Sequence, residues 1–212
     1  MSYPLGAGFI IVIVQFAVAV SIASVSMIGY RMFGSRTLFR MALSFYLVGV
    51  GLLAQGVGST GLGVNTLDIF LFTLGLYVEA SGYFVLAISH VYTVRSEIGS
   101  TIEYGGYIIP LMILASQPSF AFLVQGVARS ISFFLLLYIL GESLIFFAKN
   151  RNGEALLPIA GFFLLVVAVF VRLFLVLPTE TSDLVDILKL VGFLILSGPL
   201  FVLLARLRGG AP

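Results

Sequence analysis

From Gly8 to Tyr30 the chain runs without a single charged side chain. A helix needs about 20 apolar residues to cross the roughly 30 Å hydrocarbon core of a bilayer. No water is available there to bond exposed backbone groups, so such a run can cross only as a helix that satisfies its own N–H and C=O groups. No basic residue precedes the run in the opening MSYPLGAG. A secretory signal would start with positive charge and carry a shorter apolar core, so the run is read as a retained first span.

The same pattern recurs along the chain. Further spans are expected at about Met41–Gly58, Leu67–Tyr92, Tyr104–Val124, Val127–Ala148, Ala155–Leu177 and Asp183–Ala205. Pro110 and Pro118 fall inside the fourth, and Gln125-Gly126 is read as the turn between the fourth and fifth; if that stretch never leaves the membrane, the count falls to six. Composition agrees: 60% of the 212 residues are hydrophobic and 9% are charged, against about 25% charged in a soluble domain. Mean hydropathy is +1.18. A soluble globule and a disordered chain are both excluded, and no segment is polar enough to fold as a separate soluble domain. The expected fold class is all-α: a polytopic integral membrane protein of seven transmembrane helices.

Loop charges give the orientation. With the N-terminus outside, the inner loops hold Arg31, Arg36, Arg40, Arg95, Lys149, Arg151, Arg206 and Arg208, while Asp68, Glu180, Asp183 and Asp186 lie at outer ends. Arg129 is then the one clearly outer basic residue. Basic residues concentrate on the cytoplasmic side, so the expected topology is N-out, C-in, in a cell membrane. Trp is absent, leaving Tyr3, Tyr30, Tyr92 and Tyr104 as the interfacial belt.

Sliding the chain by about 117 residues sets the first basic loop, Tyr30-Arg31 to Arg36, over Phe147-Ala148-Lys149 to Arg151-Asn152-Gly153. It sets Ala42–Leu47 over Ile159–Leu164, Asp68 within one residue of Asp186, and Gly75 on Gly192. Spans one to three then match spans five to seven. A three-helix unit can repeat in the same orientation only if an extra helix intervenes, and the fourth span supplies it. The plan is 3+1+3 in a single transmembrane domain: unit A at about 8–95, a connector helix at about 104–124, and unit B at about 127–208. Parallel repeats of this kind occur in small transporters.

The order Tyr30-Arg31, Arg36, Ala42 to Phe45, Gly51, Glu79, Gly82-Tyr83 and Ser89 resembles small archaeal three-helix membrane proteins of unknown function. Ser44 stands where that pattern has glycine. The resemblance covers about residues 18–95 and implies a fold unit, here duplicated around a connector, and no activity.

Charge inside a bilayer is costly and marks a functional candidate. Glu79 lies near the midplane of the third span, and Gly75, Tyr83 and Leu86 share its helix face. An isolated carboxyl at that depth would hold its proton, the property a proton-coupled carrier needs; the alternative is a carboxyl that locks neighbouring helices. Glu142 is a second proton candidate in the inner half of the fifth span, where an interfacial partner could satisfy it. Arg172 and Lys189 lie in the outer thirds of the last two spans. With Asp186 they form either a salt-bridge cluster, Asp186 and Lys189 having ion-pair spacing, or a basic vestibule that attracts an anion or organic acid. His90, near an inner end, is read mainly as an interfacial anchor. Pro199, after Ser197-Gly198, interrupts the last span.

With no cysteine and one histidine, no thiolate or multi-histidine metal site and no bis-histidine haem is expected, and no cofactor is assigned. A lysine on the last of seven helices is shared with retinal proteins. Lys189 is too near the outer end for that role, and no tryptophan is present to box a chromophore. No nucleophile–base set or carboxylate pair can be assembled at usable spacing, so an enzyme is not expected. Translocation of a small solute or ion, proton-coupled through Glu79, is the first functional expectation. The alternative is a non-catalytic membrane subunit, or a seven-helix sensor signalling through a separate chain, which the small residues of the first two spans would suit. Lipid, a second copy and other membrane subunits are the partners expected, and nucleic acid is not.

Overall fold

The computed structural model describes residues 7–59, 65–94, 118–150, 153, 156–174 and 179–208. Within them lie six α-helices: α1 (Ala7–Phe33), α2 (Arg36–Ser59), α3 (Asn65–Val94), α4 (Pro118–Asn150), α5 (Leu156–Phe174) and α6 (Thr179–Arg208). The first five are long and apolar enough to cross a bilayer. Large apolar side chains point outward from them, among them Ile10, Phe122, Phe134 and Phe163. An apolar outer surface needs an apolar solvent, and the architecture is compatible with an integral membrane protein.

The turn between α1 and α2 is short and conformationally specific. Gly34 adopts φ 67° and its N–H donates to the Tyr30 carbonyl at 2.8 Å. This is a left-handed helix C-cap, a conformation open to glycine and costly for a residue with a Cβ. Tyr30 stacks obliquely on Phe39 across the same turn, ring centres 5.2 Å apart.

Neighbours in the chain are neighbours in space. Each helix packs on the next, and α6 returns to pack on α1, closing a ring. α2 and α3 are antiparallel and touch backbone to backbone. A Cβ on Gly51 would lie 2.6 Å from the Gly75 carbonyl oxygen, and one on Gly58 would lie 2.7 Å from that of Asp68. At the third crossing the Ser44 hydroxyl donates to the Gly82 carbonyl at 2.8 Å. Ser44, Gly51 and Gly58 are spaced by seven on α2, and Gly82, Gly75 and Asp68 by seven on α3. Two turns of each helix therefore separate successive close contacts. α5 and α6 are also antiparallel and cross at Gly161 and Gly192.

Two apolar clusters fill the ring. Ile22, Phe45, Val48, Tyr83, Leu86, Leu136, Phe162, Leu165 and Phe193 belong to the larger, with Phe45 edge-on to Phe193. Leu76, Tyr77, Val124 and Ala128 form the smaller, between α3 and α4.

One sequence expectation fails here. Gln125-Gly126 is no turn: α4 runs unbroken through it. Gln125 Nε2 donates to the Thr73 hydroxyl at 3.2 Å, and the Tyr77 hydroxyl donates to the Val124 carbonyl, also at 3.2 Å. Polar anchoring to α3 gives these residues a reason to sit in a helix. The expected boundary between connector and unit B thus lies within α4, and Pro118 opens the described part of that helix. Pro110 and most of the expected fourth span, residues 104–117, lie outside the described residues. Pro199 does sit inside α6.

Candidate functional site: a buried charge cluster

Glu79 occupies the middle of α3 and is 3% exposed. It faces the bundle interior because its helix face carries Gly75 and Gly82, which draw α2 against α3 on either side of it. Both carboxylate oxygens are occupied. Oε2 accepts from Gln55 Nε2 of α2 at 2.7 Å. Oε1 accepts from the Tyr83 hydroxyl, one turn along α3, at 2.7 Å, and pairs with Lys189 Nζ of α6 at 2.5 Å. Lys189 is 6% exposed, so the pair is shielded from solvent. In such surroundings a carboxylate and an ammonium attract strongly but persist only if their remaining hydrogen-bonding capacity is filled. Gln55 and Tyr83 do that for Glu79.

The ion pair at i, i+3 spacing does not form. Asp186 turns instead to Arg172 of α5, with Nη1 to Oδ1 at 2.9 Å. Its own backbone carbonyl accepts from Gln15 Nε2 of α1 at 2.6 Å. Lys189 therefore leaves the expected outer cluster and belongs with Glu79. Arg172–Asp186 is the part of that cluster that ties the last two helices together.

Arg129 is also displaced from its expected place. It lies on α4 and, with Gln55, Leu76, Glu79, Ser132, Val169, Arg172 and Lys189, lines a partly open cavity of about 30 Å³. Its Nε is buried without a hydrogen-bond partner among the described residues. The continuous α4 explains the shift. With no turn at Gln125-Gly126, Arg129 is carried a turn further into the bundle, beside the midplane of α3.

The other candidates stay apart. Glu142 is half-buried near the end of α4, close to the Tyr138 hydroxyl one turn before it, and lines no part of the cavity. The side chains of His90 and Glu180 lie outside the described residues. No group of three or more His, Cys, Asp or Glu able to hold a metal is found among the described residues.

Gln55 and Arg129 are the site residues that sequence reasoning does not assign. Gln55 is an amide near the end of an otherwise apolar span, one helical turn from Gly51 on the glycine-bearing face. A polar side chain on so tightly packed a face needs a partner, and that is the signal that could have found it. Arg129 is legible only as a basic residue on the wrong side of a boundary that does not exist. No family model, curated protein or solved structure matches the chain.

Proposed function

We propose that this is a seven-span membrane protein, N-out and C-in, built from two parallel three-helix units, and that it translocates a proton or a small ion exchanged for one. Glu79 and Lys189 are its switching pair. The observation that carries the reading is the buried Glu79–Lys189 ion pair at the middle of α3. Glu79, Arg129, Arg172 and Lys189 converge on one small cavity, with Asp186 bound to Arg172 beside it. Such an arrangement is expensive inside a bilayer, and function would retain it.

The helix directions support the topology. Contacts run broadly the same way along α3 and α4: Thr73 and Tyr77 meet Gln125 and Val124, and Glu79 lies with Arg129 and Ser132. They also run the same way along α6 and α1, where a Cβ on Gly8 would meet Asp183 and Gln15 meets Asp186. Two parallel neighbours joined in sequence need a link between opposite ends of the bundle. A further span between α3 and α4 meets that need.

The two units can also be aligned at one crossing of each pair, which moves Gly192 from Gly75 to Gly82 and needs two offsets. Ser44 and Gly161, at the crossings of α2 and α5, differ by 117 residues; Gly82 and Gly192, at those of α3 and α6, differ by 110. On that register Phe45 corresponds to Phe162, Tyr83 to Phe193, and Gln55 to Arg172. Glu79 corresponds to Lys189, so the ion pair joins equivalent positions of the two units across their axis.

The switch follows from the contacts. While Glu79 is ionised, it holds Lys189. A proton arriving on Glu79 cancels that attraction and leaves the ammonium to find another counter-charge, which alters how α6 sits on α3. The test is flux in liposomes. Glu79→Gln keeps shape and hydrogen-bonding capacity but cannot ionise; it is expected to abolish pH-driven flux while the protein stays folded. Normal flux in that variant would overturn the reading.

One observation favours a second reading. Glu79 is fully partnered in a tightly packed bundle, as a purely structural clamp in a non-catalytic subunit would be. Such a clamp predicts loss of thermal stability, and no flux in the native protein.

A further inference from the structure

We propose that the cavity beside Glu79 binds a single monatomic anion, with chloride the physiological case. This goes beyond proton translocation, because a bound anion does not require that anything be moved.

The charge balance of the cluster is the first ground. Arg129, Arg172 and Lys189 bring three positive charges; Glu79 and Asp186 bring two negative ones. The ion pairs are Lys189–Glu79 and Arg172–Asp186. Among the described residues Arg129 is the cation of the cluster for which no ion pair is found. Its Nε is buried and meets no acceptor among the described residues. A cation held inside a bilayer without a counter-charge is strongly disfavoured. A water could accept the Nε hydrogen bond, but only an anion also cancels the charge.

Size and lining give the ligand class. The cavity measures about 30 Å³, on the scale of one water in the liquid. That space admits a halide without rearrangement and favours a small anion over a bulky one. The lining combines donors, from Arg129, Arg172, Gln55 and Ser132, with the apolar Leu76 and Val169, and it includes the Glu79 carboxylate. A guanidinium has five N–H donors in a fixed fork, so Arg172 can hold Asp186 through Nη1 and still present others. A weakly hydrated halide tolerates such a half-apolar pocket better than a polyatomic oxyanion does. Lys189 borders the same space, and when a proton neutralises Glu79 its ammonium adds to the field on the anion. Protonation of Glu79 and anion affinity should therefore rise together.

The test uses the full chain purified in detergent, at constant pH and ionic strength, with gluconate replaced stepwise by chloride. A ligand that binds only the folded state raises the unfolding temperature in a saturable way. The expected result is saturation with chloride and bromide, and none with gluconate or sulfate. Arg129→Gln should weaken the apparent affinity at least about tenfold, the scale of a lost charge-assisted contact. Glu79→Gln should tighten it by about tenfold, because a negative neighbour is removed. Identical unfolding in chloride and gluconate would overturn the proposal, as would an unchanged midpoint in Arg129→Gln. Should Arg129→Gln fail to fold, an unchanged or weaker midpoint in Glu79→Gln overturns it alone. Flux measurements separate the two ideas: chloride binding without proton flux sinks translocation and leaves the anion site, and flux without chloride dependence does the reverse.

Discussion

The α2–α3 and α5–α6 pairs are both antiparallel, and they are held together differently. α2 and α3 meet at three crossings spaced by seven residues, with backbone close enough that a Cβ on Gly75 would lie 2.5 Å from the Gly51 carbonyl oxygen. Among the described residues α5 and α6 have one glycine crossing with the backbones further apart: a Cβ on Gly192 would lie 3.1 Å from the Gly161 carbonyl oxygen, and one on Gly161 would meet the Leu196 side chain at 2.6 Å. Their second fastening is the Arg172–Asp186 ion pair. Lipid is as apolar as leucine, so burying apolar surface gives helices little reason to associate in a bilayer. Close backbone packing and polar contacts remain. One pair relies mainly on the first and the other on both. The rigid pair presents the carboxylate, and the looser one presents the cation it holds.

The largest effect should come from separating the charges that join the two pairs. Glu79→Leu leaves Lys189 buried without a partner, and breaking one side of such a pair costs about 3–5 kcal/mol. Glu79→Leu with Lys189→Met removes both charges and should recover most of that loss. Thermal unfolding of the two variants in detergent measures the coupling. A double variant no more stable than the single one would mean that the pair is not what joins α3 to α6.

A smaller effect should distinguish the seams. Gly51→Ala must push backbone apart at 2.6 Å and is expected to cost about 2–3 kcal/mol, the upper range for overpacking. Gly192→Ala meets its neighbours at 3.1 Å and should cost about 1 kcal/mol. Equal losses would show that the two seams are equally tight. Gly51→Ala should also disturb Glu79, whose backbone nitrogen lies at the same 2.6 Å, so its loss should be accompanied by altered flux. Below these in size comes Arg172→Gln. Its side chain is 31% exposed, so the ion pair with Asp186 is partly screened, and a loss of about 1 kcal/mol or less is expected.

Helices are legible in the sequence because apolar runs of spanning length admit few other structures. The run Gly8–Tyr30 is the body of Ala7–Phe33, and Leu67–Tyr92 that of Asn65–Val94. Glu79 is legible as an inward-facing residue, since a lipid-facing carboxyl at mid-depth is too costly. Its partner is not. Lys189 lies three residues from Asp186, and local spacing names the local partner; the actual pairing depends on how α6 rotates against α3. Arg129 is misplaced by sequence for a different reason. Glycine beside a polar residue is a turn signal in water, but small and polar residues are also what helix contacts in a bilayer select.

That last difference yields the finest test. Gly126 lies in an unbroken α4, and a Cβ there meets nothing within 4 Å among the described residues. In a helix with open space around it, Gly126→Ala removes the entropy cost of glycine and should stabilise by about 0.5–1 kcal/mol. If the chain turned at Gln125-Gly126, glycine would be there for its backbone freedom, and alanine would destabilise instead. Gly34→Ala supplies the reference for that second behaviour, because Gly34 does adopt a positive φ and should lose about 1 kcal/mol. The sign of the Gly126→Ala shift in unfolding temperature, opposite to that of Gly34→Ala, therefore reports whether Arg129 is carried to the cavity on a continuous helix. A loss at both positions would return Arg129 to an outer turn and remove it from the charge cluster.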